Sequence, residues 1–264
     1  MRRSRVSMTT SKRKRGGDEP VRIVGRHPVI ELLLSRPKDV RNVFLLRGAK
    51  GEAATRIDGL CRDNKVSVQR VDRRWFEEQG RNTNHQGVLA EVAPRAPVAL
   101  RELLDTAAKK GEPALLVVLD QIQDPHNVGA IVRTAAAVGA DGVVVGRHRS
   151  ASISPTVAKV AAGATEHTPI AIVTNTARAL DEMKAAGIWI VGTDGSANQS
   201  LYETDLSVPL AFVIGNEARG LRRLVREKCD LVVKIPIPGR AESLNASVAA
   251  GVLLYEAFRQ RVAP

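Results

Sequence analysis

Cysteine and long apolar runs are both scarce in this sequence of 264 residues, and each absence limits what the chain can be. The two cysteines, Cys61 and Cys229, lie far apart and in no C-x-x-C pattern, which argues against a disulfide framework and a structural zinc site. No apolar run is long enough to span a bilayer, and no apolar stretch of a secretory signal follows the basic N-terminus. We therefore expect no membrane association and a location in the reducing cytoplasm.

The common nucleotide-binding and metal-binding motifs are missing as well. No G-x-G-x-x-G follows an early strand and no G-x-x-x-x-G-K-[ST] occurs, which disfavours a dinucleotide or nucleoside-triphosphate site. The five histidines show no metal-ligand spacing. The sequence therefore predicts no catalytic metal.

Positive charge, by contrast, is abundant, with a formal net charge of +12. Seven of the 40 lysines and arginines lie in the first fifteen residues. A cationic surface attracts polyanions through phosphate contacts and counterion release, so the charge favours a nucleic acid over an acidic small molecule as the partner. Residues 1–17 would also suit an organellar transit peptide, but we interpret residues 1–20 as a disordered basic tail.

Residues 21–93 alternate short helical and β-rich patterns, which predicts a small α/β domain. The expected helices are Pro28–Leu34, Glu52–Arg62 and Arg74–Glu78, and the expected strands are Asn42–Leu46, Ser67–Val71 and Gly87–Val92. Pro94 and Pro97 restrict the residues before them to extended geometry, which suits an interdomain linker. We therefore place a linker with a connecting helix, Leu100–Lys109, at residues 94–112.

Residues 113–264 contain nearly continuous apolar strands separated by helical patterns. This order is typical of an α/β fold in which helices cover both faces of a parallel sheet. The expected strands are Ala114–Leu119, Gly142–Val145, Ile170–Val173, Ile188–Val191, Leu210–Ile214 and Leu231–Ile235, and the helices are Val128–Val138, Pro155–Ala162, Ala177–Ala186 and Leu244–Arg261. Ligands of such sheets bind beyond the carboxyl ends of the strands, so polar clusters after strands are the candidates for a site.

Three such clusters are present. The first cluster, residues 119–135, has Asn127 at a predicted helix N-cap and Arg133 about two turns into that helix. A structural interpretation is equally open here, with Asn127 acting only as a cap and Arg133 pairing with a surface acid.

The second cluster, residues 212–221, contains Gly215, where a missing side chain lets a ligand approach the backbone, and Glu217 just beyond. The third cluster, residues 235–248, places Ser243 and Asn245 at a predicted helix start, where both could simply be caps. Neither pattern is specific when it is taken alone.

Taken together and in this order, the three clusters resemble the three signature motifs of the SpoU (TrmH-like) family of the SPOUT superfamily, from about Leu115 to Arg259. Residues 25–29 and 85–88 resemble, more loosely, the ribosomal-protein-like substrate-binding domain of the RlmB type. The resemblance implies a SPOUT domain with a deep trefoil knot, a homodimer with active sites near the subunit interface, and S-adenosylmethionine-dependent methylation of a ribose 2′-hydroxyl in structured RNA.

The resemblance also assigns residues to this chemistry. It implies a catalytic set of Asn127, Arg133, Glu217, Ser243 and Asn245, and contacts to S-adenosylmethionine from Thr193, Gly215, Ile235 and Leu244. Arg133 suits gripping a phosphate or ribose but is a poor base, because its pKa lies above about 12. The proton acceptor therefore stays open.

Several functions compete at this point. The N-terminal domain favours a guanosine of large-subunit ribosomal RNA as the target. A transfer RNA or an antibiotic-binding loop of ribosomal RNA is the nearest alternative. A catalytically silent RNA-binding assembly factor is disfavoured by the polar residues retained in all three clusters, and an α/β oxidoreductase by the missing glycine fingerprint.

Overall fold

The computed structural model describes residues 20–79, 85–93, 95–217, 219–241 and 243–262. The basic tail predicted at residues 1–20 lies outside the described residues except for Pro20. The chain forms two compact units that divide between residues 94 and 95. Among the residues described, no helix combines the length and apolar character needed to cross a bilayer.

The first unit is built on a four-stranded sheet with the strand order β1-β4-β2-β3. Its strands are β1 (Val21–Val24), β2 (Val40–Leu46), β3 (Ser67–Val71) and β4 (Val88–Val92), and its helices are α1 (Arg26–Ser35), α2 (Glu52–Asp63) and α3 (Arg73–Gln79). β2 runs parallel to β3, whereas β4 is antiparallel to both β1 and β2. The sequence pattern missed β1 and the 3-10 helix Pro37–Asp39 of this unit.

Strand β2 shows how this unit is covered on both faces. Val43 and Leu45 belong to a core cluster that includes residues of α1 and α2. Phe44, between them, packs instead with Phe76 of α3 and with Leu89. Successive side chains of a strand point to opposite faces, so helices lie against both sides of the sheet.

The second unit contains a seven-stranded, wholly parallel sheet with the strand order β7-β6-β5-β10-β8-β11-β9. The strands are β5 (Leu115–Leu119), β6 (Gly142–Gly146), β7 (Ile170–Val173), β8 (Trp189–Thr193), β9 (Gln199–Ser200), β10 (Leu210–Ile214) and β11 (Leu231–Lys234). The helices are α4 (Leu100–Ala108), α5 (Pro125–Ala137), α6 (Pro155–Val160), α7 (Thr176–Ala185), α8 (Arg223–Lys228) and α9 (Ala246–Val262). The predicted α/β fold with a parallel sheet is confirmed.

Both faces of this sheet are buried, as its apolar strands predict. Leu115 and Val117 of β5 face a cluster with α5 and α9, whereas Leu116 and Val118 face a cluster with α4, α7 and α8. The sequence pattern missed α8 and the two-residue strand β9. The trefoil knot implied by the resemblance stays a prediction.

Candidate active site

The candidate site lies where four neighbouring parallel strands end. β5, β10, β8 and β11 lie side by side in that order, so the segments that follow them share one edge of the sheet. β5 leads into the first cluster, β10 into the second and β11 into the third, while β8 ends at Thr193. Residues from distant parts of the sequence therefore meet at one edge.

A chain of hydrogen bonds joins the three clusters. Asn127 Nδ2 donates to Glu217 Oε1 at 2.5 Å, and Asn245 Nδ2 donates to Asn127 Oδ1 at 3.0 Å. Asn245 Oδ1 in turn accepts from the backbone N–H and the hydroxyl of Ser247, at 2.9 and 2.6 Å. Each cluster contributes one of the side chains of Glu217, Asn127 and Asn245. We call these three residues the amide network, after the two asparagine amides that link them.

The prediction that Asn127 is a helix N-cap is wrong. Helix α5 begins at Pro125, and its cap is Asp124, whose side chain accepts from the backbone N–H of His126 at 2.8 Å. Proline is favoured at a first helical position because it has no N–H that needs a partner there. The helix thus starts earlier than predicted, and the amide of the buried Asn127 is available to Glu217 and Asn245.

Asn245 both caps a helix and takes part in the amide network. Helix α9 begins at Ala246, two residues after the predicted start at Leu244, so Asn245 lies just before the helix. Its Oδ1 accepts from the backbone N–H of Ser247, as the side chain of a helix cap does. Its Nδ2 is directed instead to Asn127. Capping therefore fixes the orientation in which Asn245 enters the amide network.

Gly215 is required by the second cluster itself. A Cβ atom at this position would lie 2.5 Å from the carbonyl carbon of Gly220 and 2.6 Å from its oxygen. Asn216 and Gly220 exchange backbone hydrogen bonds of 3.1 and 2.8 Å, which hold these two residues side by side. The loop backbone already occupies the place of a side chain, a reason for glycine that the sequence interpretation did not include.

Arg133 and Ser243 lie outside the amide network. Both are exposed, and Arg133 makes no hydrogen bond or ion pair within the part of the chain that the structure describes. A purely structural interpretation requires a surface acid that pairs with Arg133, and none of the described acidic side chains does so. An exposed guanidinium on the helix of Asn127 leaves its donors available to an anionic group such as a phosphate.

Thr193, Ile235 and Leu244 are all partly buried at the same sheet edge. The hydroxyl of Thr193 donates to the carbonyl of Val213 at 3.1 Å, which ties the end of β8 to β10. Ile235 directly follows β11 and packs against the core with part of its surface exposed. Partly exposed apolar side chains beside loop backbone suit a ligand that has an apolar ring and polar edges.

Sequence reasoning missed an ion pair between the first cluster and Arg222, the residue directly after the second cluster. Asp120, directly after β5, is fully buried, and Oδ1 of its carboxylate accepts from Arg222 Nε at 2.8 Å and from Arg222 Nη2 at 2.5 Å. Oδ2 accepts from the backbone N–H of Arg222 at 3.1 Å. The sequence did carry a signal, because a carboxylate directly after a buried apolar strand needs a cation or hydrogen-bond donors.

A second ion pair at this edge was also missed. Asp194, which follows Thr193, pairs with Arg226 of α8 and accepts hydrogen bonds from the backbone N–H and hydroxyl of Ser196. Burial alone would raise the pKa of Asp194, but Ser196 and Arg226 together hold this pKa below its ordinary value. Among the described residues, no group of three or more histidine, cysteine or acidic side chains could hold a metal ion.

Two protein families match this chain. Residues 114–255 match the SpoU rRNA Methylase family. Residues 22–98 match the domain described as RNA 2′-O ribose methyltransferase substrate binding. The two matches fall largely in the second and the first structural unit, respectively.

Individual proteins are similar over nearly the whole chain. The chain is 44% identical to the 23S rRNA (guanosine-2′-O-)-methyltransferase RlmB of Pseudomonas putida, over 91% of this chain and 96% of that protein. It is 43% identical to the protein of the same name from Pseudomonas syringae pv. tomato, over 92% and 96%. A solved structure, the SpoU methyltransferase AviRb from Streptomyces viridochromogenes in complex with the cofactor AdoMet, is 28% identical, with a TM-score of 0.71 over 92% of this chain and 91% of that one.

Proposed function

The chain belongs to the SpoU rRNA methylase family, and we propose that it transfers the methyl group of S-adenosylmethionine to a ribose 2′-hydroxyl of RNA. The observation that carries this proposal is the amide network, in which side chains of all three clusters are hydrogen-bonded at one sheet edge. Only Asn127 of the three is buried, and a chain with the fold alone would have no need to bring these three polar side chains together. The catalytically silent alternative is therefore disfavoured.

The chemistry asks mainly for positioning. S-adenosylmethionine supplies a methyl group that is already activated by its sulfonium. The protein has to align the ribose oxygen with that methyl group and ease the loss of the hydroxyl proton. Side chains held in fixed orientations by their neighbours are suited to this task.

We assign roles from the contacts that each side chain has left. One N–H of Asn127 and one of Asn245 are used inside the amide network, which leaves a second N–H on each amide for the ribose or its phosphate. Glu217 orients Asn127 through Oε1, and its second carboxylate oxygen, Oε2, can accept a hydrogen bond from the substrate. Arg133, exposed and without a partner among the described residues, grips the phosphate of the target nucleotide. Ser243 adds a hydroxyl within the third cluster.

The residues expected to hold S-adenosylmethionine fit a ligand of its chemistry. Thr193, Gly215 and Ile235 end or follow the adjacent strands β8, β10 and β11, and Leu244 lies before α9. Ile235 and Leu244 offer partly exposed apolar surface for an adenine ring, and the loop backbone offers hydrogen bonds to its polar edge. These four residues form the proposed cofactor site.

We propose a guanosine of large-subunit ribosomal RNA as the target, with residues 21–93 as the domain that binds it. The similarity to the two proteins named RlmB, over 91% and 92% of this chain, supports the substrate, and the family match at residues 22–98 supports the domain. A transfer RNA stays the nearest alternative target.

We further propose that the protein works as a homodimer through helix α9. Val248, Tyr255, Phe258 and Val262 recur at helical spacing along α9 and are 51%, 54%, 39% and 59% exposed. An apolar helical stripe of this kind is expected to be covered by a partner. The stripe begins one turn after Asn245, so a second copy seated on it would lie next to the amide network.

Sedimentation tests the dimer. Replacing Tyr255 and Phe258 together by glutamate should yield monomers, because two desolvated charges would oppose the interface. Tyr202→Glu is the matched control, since Tyr202 is 55% exposed but lies outside α9. A wild-type protein that sediments as a monomer at micromolar concentration would refute this part of the proposal.

Methyl transfer tests the main proposal. Purified protein is incubated with radiolabelled S-adenosylmethionine and with unmodified 23S rRNA or transfer RNA, and the label is located by nuclease digestion. We expect label on a ribose of 23S rRNA and its loss in Arg133→Ala. Label on transfer RNA alone would move the substrate to the nearest alternative. Cofactor binding without transfer to either RNA would contradict the proposed reaction.

A further inference from the structure

The loop after β6 carries three consecutive basic residues, Arg147, His148 and Arg149, and all three are exposed. We call them the cationic segment. They form no ion pair within the described part of the chain. Two other exposed arginines of the same unit are neutralised: Arg178 pairs with Glu182 at 3.2 Å, and Arg223 pairs with Glu227 at 2.7 Å.

The backbone holds the cationic segment against the first cluster. Arg147 N donates to the carbonyl of Val173 at 2.7 Å, and Ala151 N donates to the carbonyl of Ile122 at 2.9 Å. Arg149 has a positive φ of 56°, which a residue with a side chain adopts only where its surroundings favour it. The segment is thus tied on one side to β7 and on the other to the loop that leads into α5.

Helix α6, which packs against α5, carries a further exposed cation. A Cβ atom at Gly129 would lie 2.9 Å from the carbonyl oxygen of Val157, so α5 and α6 are in close contact there. Lys159 lies on α6 and is exposed. Arg133 follows Gly129 by four residues on α5, and residues four apart share a face of a helix.

The strand order puts the cationic segment and the proposed cofactor residues on opposite sides of Asn127. β6 neighbours β5 on one side, whereas β10, β8 and β11 lie on the other. A nucleotide held at Asn127 and Arg133 would therefore have its methyl donor toward β10. The cationic segment would lie on the other side of that nucleotide, toward β6.

We propose that Arg147, His148 and Arg149, together with Lys159, bind phosphates of the RNA strand that flanks the target nucleotide. This inference rests on the proposed function and adds to it a path for the RNA backbone across the second unit. Arginine donates two parallel hydrogen bonds to a phosphate, and unpaired arginines need not break an existing ion pair to do so.

RNA binding as a function of salt tests this inference. The double variant R147Q/R149Q should bind a 23S rRNA transcript at least tenfold more weakly near 0.15 M salt. The slope of log K against log salt should become shallower by roughly 1.5, because each lost phosphate contact removes about 0.7 to 0.9. Affinity for S-adenosylmethionine and the melting temperature should not change.

The matched control is R178Q/R223Q, which removes the same net charge from exposed arginines that already have carboxylate partners. It should bind RNA almost as wild type does and should remain active. Equal losses in the two double variants would overturn the inference, because the effect would then reflect total charge. Methylation of the transcript by the wild-type protein is measured in parallel. Failure of this inference can then be told apart from failure of the proposed function, in which the wild-type protein itself would not methylate the transcript. If the melting temperature of the double variant is lowered, the single variants R147Q and R149Q are measured in its place.

Discussion

Arg222 forms three hydrogen bonds to the carboxylate of Asp120, one from its backbone and two from its guanidinium. The carboxylate is fully buried, whereas the side chain of Arg222 is 46% exposed. Asn216 Nδ2 also donates to the carbonyl of Gln121, at 3.3 Å. The loop of the second cluster is therefore attached to the end of β5 at two successive residues.

Replacing Arg222 should disturb both stability and cofactor binding. Arg222→Met leaves the carboxylate of Asp120 buried without its cation, and breaking such a pair costs about 3 kcal/mol, the lower end of the usual range because Arg222 is half exposed. The loop that contains Gly215 would lose one attachment, so the Kd for S-adenosylmethionine should rise. Calorimetric titration and thermal denaturation measure the two effects.

The neighbouring Arg223 provides the control for Arg222. It pairs with Glu227 on the surface, with 80% of its side chain exposed, so Arg223→Met should cost less than about 1 kcal/mol. In the double variant D120N/R222M no buried charge remains unpaired, and part of the stability should return. Equal effects of Arg222→Met and Arg223→Met would contradict the importance of the buried pair.

Substitutions in the amide network should reduce activity in a non-additive way. Asn127→Ala and Asn245→Ala should each lower kcat/KM for methyl transfer about 100-fold, since either change frees the remaining partners to turn. The double variant should be little worse than either single one, because residues that act as a unit give strongly non-additive effects. Additive losses, near 10,000-fold together, would mean that the two amides act independently.

Local patterns in the sequence were sufficient for the fold of the second unit. Its strands are short apolar runs, and Ile170–Val173 and Leu210–Ile214 appear with the predicted bounds. Helix α8 was missed because only Val225 of its six residues is buried, so no apolar periodicity marks it. β9 is too short to show a pattern.

The site was predictable as residue types but not as contacts. Glycine at 215 suggested a close approach, yet the approaching group is the backbone of Gly220 in the same loop. Asn127 and Asn245 are 118 residues apart in sequence, and no spacing rule connects them. The pairing of Asp120 with Arg222 depends in the same way on strands β5 and β10 becoming neighbours.

Gly215→Ala should strongly reduce activity, because the surrounding backbone cannot easily move away from a new side chain. The new methyl group would meet the backbone of Gly220 and the backbone N of Leu221, the latter at 2.7 Å, so the whole loop would have to move. We expect weaker S-adenosylmethionine binding and at least a tenfold loss of activity. Gly195→Ala is the control at the same sheet edge, since nothing lies within 4 Å of a Cβ atom there. Normal cofactor affinity in Gly215→Ala would refute the argument.

The C-terminal helix carries a pH-dependent contribution to stability. Hydrogen bonds from Arg259, and then from Gln260, lower the pKa of Glu256 below its ordinary value. A lowered pKa stabilises the fold above the unfolded value of about 4.3, and this contribution is lost as the pH falls through the folded value. The melting temperature of wild type should exceed that of Glu256→Gln at pH 7, and the difference should shrink as the pH falls below about 4. A difference that is constant with pH would exclude this origin.

Arg261 fastens the end of α9 to the start of the parallel sheet. Its guanidinium donates to the carbonyls of Leu206 at 3.1 Å, Pro113 at 2.6 Å, Ala114 at 3.1 Å and Val208 at 2.7 Å. Burial lowers the pKa of Arg261, while the negative charge of Asp141 acts in the opposite direction. The hydrogen bonds of the guanidinium itself all go to these four carbonyls.

Arg261→Met should therefore lower the free energy of unfolding by about 3 kcal/mol, because it leaves several carbonyls without donors. Arg261→Lys should recover only part of this, since an ammonium cannot reach four carbonyls arranged around a planar fork. Arg178→Met, which breaks only an exposed pair with Glu182, should change stability by less than about 1 kcal/mol. Denaturant unfolding of the three variants separates these cases. Full rescue by lysine would show that the charge, and not the four-way geometry, holds the helix end.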